Sequence, residues 1–242
     1  CDLNTTINDM EQLQQLTPHV LAAVGSDVDA STATAYGVIG AIDAYQKRLV
    51  TQKRKEKTAL VHGCGAVGRV VAELLIEMSW KVLTVDIDPN KSNIDGAYAL
   101  DATSEWWNED FDVLIPCSIS GLITEKISKA LRVHAVIPAA NAPFSHPSNI
   151  NILWDKNIVV IPDPIVNAGA VIADSIELFD PDSWNSSNPN DIYDFVRSCV
   201  FDNTSIFLNL KEKGLSVENI IEKIIEMKSS RPIGLSFSRG IK

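Results

Sequence analysis

The sequence predicts an α/β fold in which a doubly wound parallel sheet is followed by a helical C-terminal tail. Three observations predict it. From Thr58 to Ile161 apolar runs of strand length alternate with apolar-periodic runs of helix length. The strand-length runs are apolar on successive residues, the pattern of parallel strands covered on both faces. A glycine-rich turn, Gly63-Cys64-Gly65-Ala66-Val67-Gly68, joins the first such strand to the first such helix.

Met10–Leu16 is expected to form a short helix and Val20–Val24 a strand. From Thr32 to Val50 the residues Ala35, Val38, Ile39, Ile42, Tyr45 and Leu49 recur at helical spacing, so that segment reads as a helix ending at the basic run Lys53-Arg54-Lys55-Glu56-Lys57. Thr58–His62 is the first strand, Val67–Met78 a helix with one apolar face, and Lys81–Val85 a β-branched strand closed by Asp86. Further strands are expected at Asp112–Pro116, Ala135–Ala140 and Asn157–Ile161, with a helix over Ile119–Leu131. After Asn167 the strands stop. Residues 168–179, 190–213 and 216–228 read as helices, with Asn190 or Ser216 as caps and Asp180-Pro181-Asp182 and Ser186–Pro189 as breaks.

The 242 residues carry 45% apolar residues, enough for one substantial core with a small appendage. A formal charge of −10 argues against a nucleic-acid partner, which needs clustered cations, and the one basic run is short and interrupted. No apolar run reaches the roughly 18 residues of a membrane span, and Cys1–Thr5 lacks the basic and apolar regions of a signal peptide. A soluble, membrane-free protein is expected. Cysteines at 1, 64, 117 and 199 form no close pair for zinc or redox chemistry. They are expected to be small buried hydrophobes in a reducing cytoplasm. The chain starts at Cys1 and its first methionine is Met10, so a fragment or a trimmed chain is expected.

The glycine turn sits where dinucleotide binding requires it, between a strand and the helix it opens. Gly63 permits the tight turn, Gly65 lets a pyrophosphate approach the backbone, and Gly68 lets helix pack on strand. The helix start offers free N–H groups and a partial positive charge to phosphates. Asp86, closing the next strand, would accept the ribose hydroxyls. Candidate cofactor residues are therefore Gly63, Gly65, Ala66, Val67, Gly68, Asp86 and Ile87 of a Rossmann-type domain. Asp88 lies close by and no arginine follows within a turn, so NAD is expected over NADP.

Other motifs narrow the function. Asp2-Leu3-Asn4-Thr5-Thr6-Ile7-Asn8-Asp9-Met10 resembles the segment that carries the catalytic aspartate of amino-acid dehydrogenases. Thr34-Ala35-Tyr36-Gly37-Val38 resembles the threonine-containing start of their linking helix. Ile115-Pro116-Cys117-Ser118-Ile119-Ser120-Gly121 is similar to their loop beside the cofactor. Ala139-Ala140-Asn141 and the stretch from Pro162-Asp163 to Val166-Asn167-Ala168-Gly169 match two further motifs. With the glycine turn these occur in family order from residue 2 to about 178. The resemblance is to the glutamate/leucine/phenylalanine/valine dehydrogenases, nearest the leucine and phenylalanine type.

What the resemblance implies is oxidative deamination of an L-amino acid to a 2-oxo acid, with hydride passing to NAD. Asp2 would be the catalytic acid/base at the amino group. Thr34, Cys117, Ser118, Asn141 and Asn167 would lie around the cofactor, and Asn167 and Val171 at the substrate, with Val166 and Ala173 as further parts of the pocket floor. That floor of small apolar residues would suit an aliphatic or aromatic amino acid. Read alone, Asp2 is an ordinary solvated acid, Thr34 fits a helix N-cap equally well, and Asn141 and Asn167 fit turns. His62 is expected to be packed; His134 and His146 have no partner that the sequence names. The implied organisation is a substrate-domain remnant at 1–32, a linking helix at 33–50, the NAD-binding domain at 55–178 and C-terminal helices at 179–242. A homo-oligomer is compatible with it.

The sequence also departs from the family. The lysines that relatives carry upstream of the aspartate have no counterpart here, and no Gly-Gly dipeptide occurs. Cys1 precedes the aspartate where relatives carry Glu or Gln. Ala142-Pro143 follows Asn141, Pro138 and Ala170 replace glycines, and Pro164 replaces an aromatic. Two readings stand: an amino-acid dehydrogenase whose lysine segment lies outside these residues, or a non-catalytic NAD-binding domain with a binding or regulatory role.

Overall fold

The structure, a computed structural model, describes residues 6–17, 20–21, 25–49, 57–229 and 237. Asp2, most of the basic run and the end of the expected Val20–Val24 strand lie outside them; Val20 and Leu21 are irregular.

Helix α1 (Ile7–Gln14) opens with a reciprocal cap, in which the Thr6 N–H donates to Asp9 at 2.7 Å and the Asp9 N–H donates to the Thr6 hydroxyl at 3.4 Å. Helix α2 (Ala30–Leu49) starts earlier than the periodicity suggests, because Asp29 accepts the Thr32 N–H at 2.7 Å. Thr34 therefore lies inside the helix, its hydroxyl donating to the Ala30 carbonyl at 3.0 Å, and does not serve as the N-cap.

Strands β1 (Thr58–His62), β2 (Lys81–Val85), β3 (Ala97–Leu100), β4 (Val113–Pro116), β5 (Ala135–Val136) and β6 (Val159–Val160) form one sheet in the order β3-β2-β1-β4-β5-β6, every pair parallel. The order reverses between β1 and β4, which opens a crevice at the carboxyl ends of those two strands. Adjacent residues of the central strands feed different cores. Val61, Val82 and Ile115 pack with α2 and with α3 (Ala66–Glu77), whereas Leu60, Leu83 and Leu114 pack with Trp106, Leu131 and Leu153 on the other face. Both faces are covered, as the unbroken apolar runs require.

The remaining helices are α4 (Pro89–Ser92), α5 (Glu125–Ala130), α6 (Asn149–Asp155), α7 (Asp163–Val166), α8 (Gly169–Phe179), α9 (Pro181–Ser186), α10 (Pro189–Glu212) and α11 (Val217–Ser229). The expected helix over 119–131 is shortened because Gly121 adopts φ +75° and Thr124 caps α5, accepting the Ile127 N–H at 3.3 Å. The expected strands at 135–140 and 157–161 each shrink to two paired residues, and Pro138 offers no N–H to a ladder. Asp180-Pro181 ends α8 and also starts α9, with Asp180 accepting the Ser183 N–H at 3.4 Å. The cap of α10 is Asn188, not Asn190, followed by Pro189 in the first turn. Ser216 does cap α11, accepting the Asn219 N–H at 3.3 Å.

Helix α2 crosses α10 backbone to backbone. A Cβ on Gly40 would lie 2.2 Å from the Arg197 carbonyl oxygen, and the Arg197 guanidinium holds the Asp43 carboxylate through two N–H groups, each 2.7 Å away. A third cluster joins Ala33 of α2, Ala173 of α8, Trp184 of α9 and Tyr193 of α10, and Phe237 is fully buried in it. Among the described residues no helix is long and apolar enough to cross a membrane.

One cap comes from a distant lysine. The Lys156 ammonium donates to the carbonyls of Ser128, Lys129 and Leu131 at 3.2, 2.8 and 2.5 Å, satisfying the end of α5 and lying at the negative end of its dipole. Lys156→Met is expected to lower stability by about 1 to 2 kcal/mol. A shifted urea midpoint at unchanged m-value checks it; an unmoved midpoint would show that water replaces the ammonium at no cost.

Candidate functional site

The crevice is built first by the glycine turn. Gly63 has φ +94°, and a Cβ there would lie within 2.7 Å of Ser118 backbone and side-chain atoms. Its N–H donates to the Val85 carbonyl at 2.7 Å, tying the turn to β2. A Cβ on Gly68 would lie 1.9 Å from the Gly63 carbonyl oxygen and 3.1 Å from Cys117 Cβ. Packing therefore requires these two glycines. Gly65 differs: a Cβ would meet nothing within 4 Å, the residue is exposed, and no side chain caps α3. The first N–H groups of α3, at Ala66, Val67 and Gly68, lack helical acceptors and surround that open space.

Asp86 closes the turn from the side of β2. Its two carboxylate oxygens accept the Cys64 N–H at 2.7 Å and the Asp88 N–H at 2.9 Å, which leaves lone pairs for further donors. Asp88 caps α4, accepting the Asn90 N–H at 3.0 Å. Ile87 stands between them 94% exposed. Arg69, on the first turns of α3, donates to the Lys91 carbonyl at 3.3 Å and lies 3.9 Å from Glu73.

On the β4 side, His62 Nδ1 and the Ser118 hydroxyl share a hydrogen bond of 2.9 Å, and the imidazole lies 4.8 Å from the Trp106 ring. Burial pushes the His62 pKa down to about 4, although its backbone hydrogen bond and the Asp86 charge act the other way. His62 is thus packed and neutral at pH 7, as expected. Burial also raises the Cys64 thiol to about 11 and the Cys117 thiol further, so neither is a reactive thiolate. The Cys117 side chain packs against the core beneath the turn, and its N–H donates to the His62 carbonyl at 2.7 Å. A cofactor role for Cys117 would have to be played by its backbone.

The third part of the crevice holds the two asparagines. Asn167 Nδ2 donates to Asn141 Oδ1 at 2.7 Å and to the Ala139 carbonyl at 3.2 Å. Ser120 donates to the Asn141 carbonyl at 2.9 Å. Asp163 accepts the N–H of Ala142, which has φ +45°, at 3.0 Å. The Asn141 Nδ2 group and the Asn167 Oδ1 atom make no hydrogen bond with described residues. Thr34 reaches the same region, since a Cβ on Gly169 would lie 2.6 Å from Thr34 Cα. Ser120 and Asp163, which fix the asparagine loop, were not distinguished within their motifs, because each acts on a residue 21 positions away.

The expected pocket floor is rearranged. Val166 and Ala173 are 0% and 2% exposed and belong to the cores against α2 and α10, so they cannot touch a ligand in the crevice. Val171 is 66% exposed on the opposite face of α8. His134 and His146 have partners after all: Asp112 at 3.4 Å and Ser148 at 2.7 Å. Among the described residues no His, Cys, Asp and Glu cluster could hold a metal ion.

Comparison with known proteins agrees with this arrangement. Residues 25–90 and 90–193 match the family model described as Glutamate/Leucine/Phenylalanine/Valine dehydrogenase. The phenylalanine dehydrogenase of Lysinibacillus sphaericus is 31% identical over 192 residues, covering 74% of this chain and 50% of that protein. The leucine dehydrogenase of Bacillus subtilis is 30% identical over 188 residues, again 74% of this chain and 50% of that protein. The crystal structure of L-tryptophan dehydrogenase from Nostoc punctiforme shares the fold with a TM-score of 0.72 at 22% identity, over 93% of this chain and 65% of that one. The chain spans about half the length of the curated relatives it matches. By the family match over most of its length, joined to a parallel sheet with the glycine turn at its switch point, this chain belongs to the Glutamate/Leucine/Phenylalanine/Valine dehydrogenase family.

Proposed function

We propose that the chain is the dinucleotide-binding part of an NAD-dependent amino-acid dehydrogenase that converts an L-amino acid to its 2-oxo acid. The observation that carries the reading is Gly65: an exposed glycine at the start of α3 whose missing side chain would clash with nothing in the protein itself. That space, ringed by free N–H groups and adjoining the Asp86 carboxylate, fits a dinucleotide.

NAD, when bound, supplies the ring that takes up the hydride. The chain's own residues bind and orient. The N–H groups of α3 would hold the pyrophosphate, Asp86 would accept the ribose hydroxyls, and Ile87 would offer apolar surface. The free amide groups of Asn141 and Asn167, held by each other and by Ser120, would orient the carboxamide and the substrate. Asp2, by resemblance, would move the proton at the substrate's amino nitrogen. Groups for the substrate's carboxylate belong to the part of the relatives that this chain does not span. The free, buried or half-buried Cys64, Cys117 and Cys199 suit a reducing cytoplasm.

A second reading, an NAD-binding domain without turnover, is favoured by one observation. Ala142 follows Asn141 in a left-handed conformation and gives its N–H to Asp163, an arrangement tied to the altered residues there.

NADH is expected to bind at least about tenfold more tightly than NADPH, because two carboxylates beside the ribose would repel a further phosphate. A fluorescence titration checks this, and equal affinities would defeat the NAD assignment. Adding a panel of L-amino acids with NAD, to this chain and to a protein in which the part that relatives carry and this chain does not span is restored, separates the two readings: formation of NADH by either supports the dehydrogenase, and binding without it in both supports the silent domain.

A further inference from the structure

The amino ends of β1, β2 and β3 come together at the opposite end of the sheet from the crevice, with Thr58 beside Lys81 and Val82 beside Ala97. They frame a groove of about 780 Å³ whose lining includes Lys57, Trp80, Lys81, Gly96 and Tyr98. In a chain of net charge −10, two ammonium groups line this groove and no carboxylate does. Each ammonium stands over a ring, Lys57 Nζ at 5.7 Å from the centre of Trp80 and Lys81 Nζ at 5.8 Å from that of Tyr98. Neither forms an ion pair with a described residue. Two buried donors beside them also lack an acceptor. Trp80 is 6% exposed and its indole N–H makes no hydrogen bond; nor does the side-chain nitrogen of Gln46, whose oxygen accepts the Lys57 ammonium at 3.2 Å. Buried N–H groups are normally paired, so this end of the sheet holds a surplus of donors and of positive charge.

From this juxtaposition we infer that the groove is a second ligand site, for a small anion that carries a flat ring. The anion's oxygens would draw in the two ammonium groups and accept the Trp80 N–H. Its ring would lie on Tyr98, which is 61% exposed and offers an aromatic face at the same groove. An ammonium is a point charge without the fork of a guanidinium, so it serves a carboxylate or a phosphate alike. The site lies a strand's length, roughly 16 Å, from the glycine turn, and none of its residues takes part in the crevice. The inference therefore stands apart from the dinucleotide reading.

The test uses the full chain with NADH present to fill the crevice, and measures binding of phenylacetate and phenyl phosphate by calorimetry. Acetate and inorganic phosphate supply the charge without the ring, and benzyl alcohol the ring without the charge. At least one of the two ring-bearing anions is expected to bind roughly tenfold more tightly than all three controls, and which of them does so tells a carboxylate ligand from a phosphate one. Lys57→Gln and Lys81→Gln, both at exposed positions, should each weaken that binding about fivefold or more. Tyr98→Ala should bring the ring-bearing anion down to the level of its ringless control. Lys126→Gln removes another exposed ammonium that stands over an indole ring, 5.0 Å from the centre of Trp107, and should change nothing. In a protein labelled with nitrogen-15 at tryptophan, the indole N–H signal that disappears in Trp80→Phe should move downfield on binding. Three results each overturn the inference: no binding of either ring-bearing anion at millimolar concentration, controls that bind equally well, or binding that survives both lysine substitutions.

Discussion

Gly65→Ala is expected to leave the fold intact while weakening NADH binding at least about tenfold, and Gly68→Ala to destabilise the chain by about 3 kcal/mol. The two glycines are three residues apart in one turn, and chemically the substitutions are the same. At Gly68 the new methyl would sit 1.9 Å from the Gly63 carbonyl oxygen, a backbone atom held by the turn and unable to swing aside. Relief requires α3 to move off β1, which opens the core around Val71 and Leu75. At Gly65 the methyl meets no protein atom within 4 Å. Its effect falls on whatever must approach the first N–H groups of α3. Urea unfolding and NADH titration of both variants separate the cases. A Gly65→Ala protein that binds NADH like the parent would show that the open space is not where the pyrophosphate lies.

Acidification is expected to weaken the fold through His62. Its ordinary pKa is 6.5, and burial in the folded chain holds it at about 4. Between these values the unfolded chain takes up a proton that the folded chain refuses, so stability falls as pH falls through that window. The folded state keeps the full contribution above pH 6.5. The slope approaches about 1.4 kcal/mol per pH unit and the whole loss roughly 3 kcal/mol, with no further loss from this group below pH 4. His62→Gln keeps a hydrogen-bonding partner for Ser118 and cannot charge. The difference between parent and variant unfolding free energies at pH 7, 5.5 and 4 isolates the imidazole from the carboxylates, which titrate in both. A difference that is flat with pH would mean that His62 gains a proton freely in the folded state.

The sheet and the glycine turn were legible in the sequence because both depend on local rules. β1, β2 and β4 are apolar runs bounded by turns, and Gly63, Gly65 and Gly68 stand at fixed offsets from a strand end. β3 was not, since Ala97-Tyr98-Ala99-Leu100 is an edge strand with weak patterning and exposed middle residues. The helices α6, α7 and α9 are too short to show a period. Asp180-Pro181 stops one helix and starts the next, and only its hydrogen bond to Ser183 tells the two apart. In the crevice, Asn141 and Asn167 were named from motifs, but their mutual bond and the support from Ser120 and Asp163 depend on loop paths between separate strands. The pocket floor misled for a similar reason. Helical spacing shows that Val171 and Ala173 face different ways, but it does not show which way is out. The crossing of α2 and α8 at Gly169 decides that.

The crossing of α2 and α10 at Gly40 has a mechanical consequence. Helices separated by interdigitating side chains can slide a little as rotamers change, which is the basis of shear motions. At this crossing backbone rests on backbone, and the Asp43–Arg197 pair locks the register beside it. The two helices form a welded truss, stiff along its length, with no layer of side chains to act as a lubricant. Thr34 and the start of α8 rest on one end of that truss. Any rearrangement that opens or closes the crevice must then carry the pair as one rigid arm.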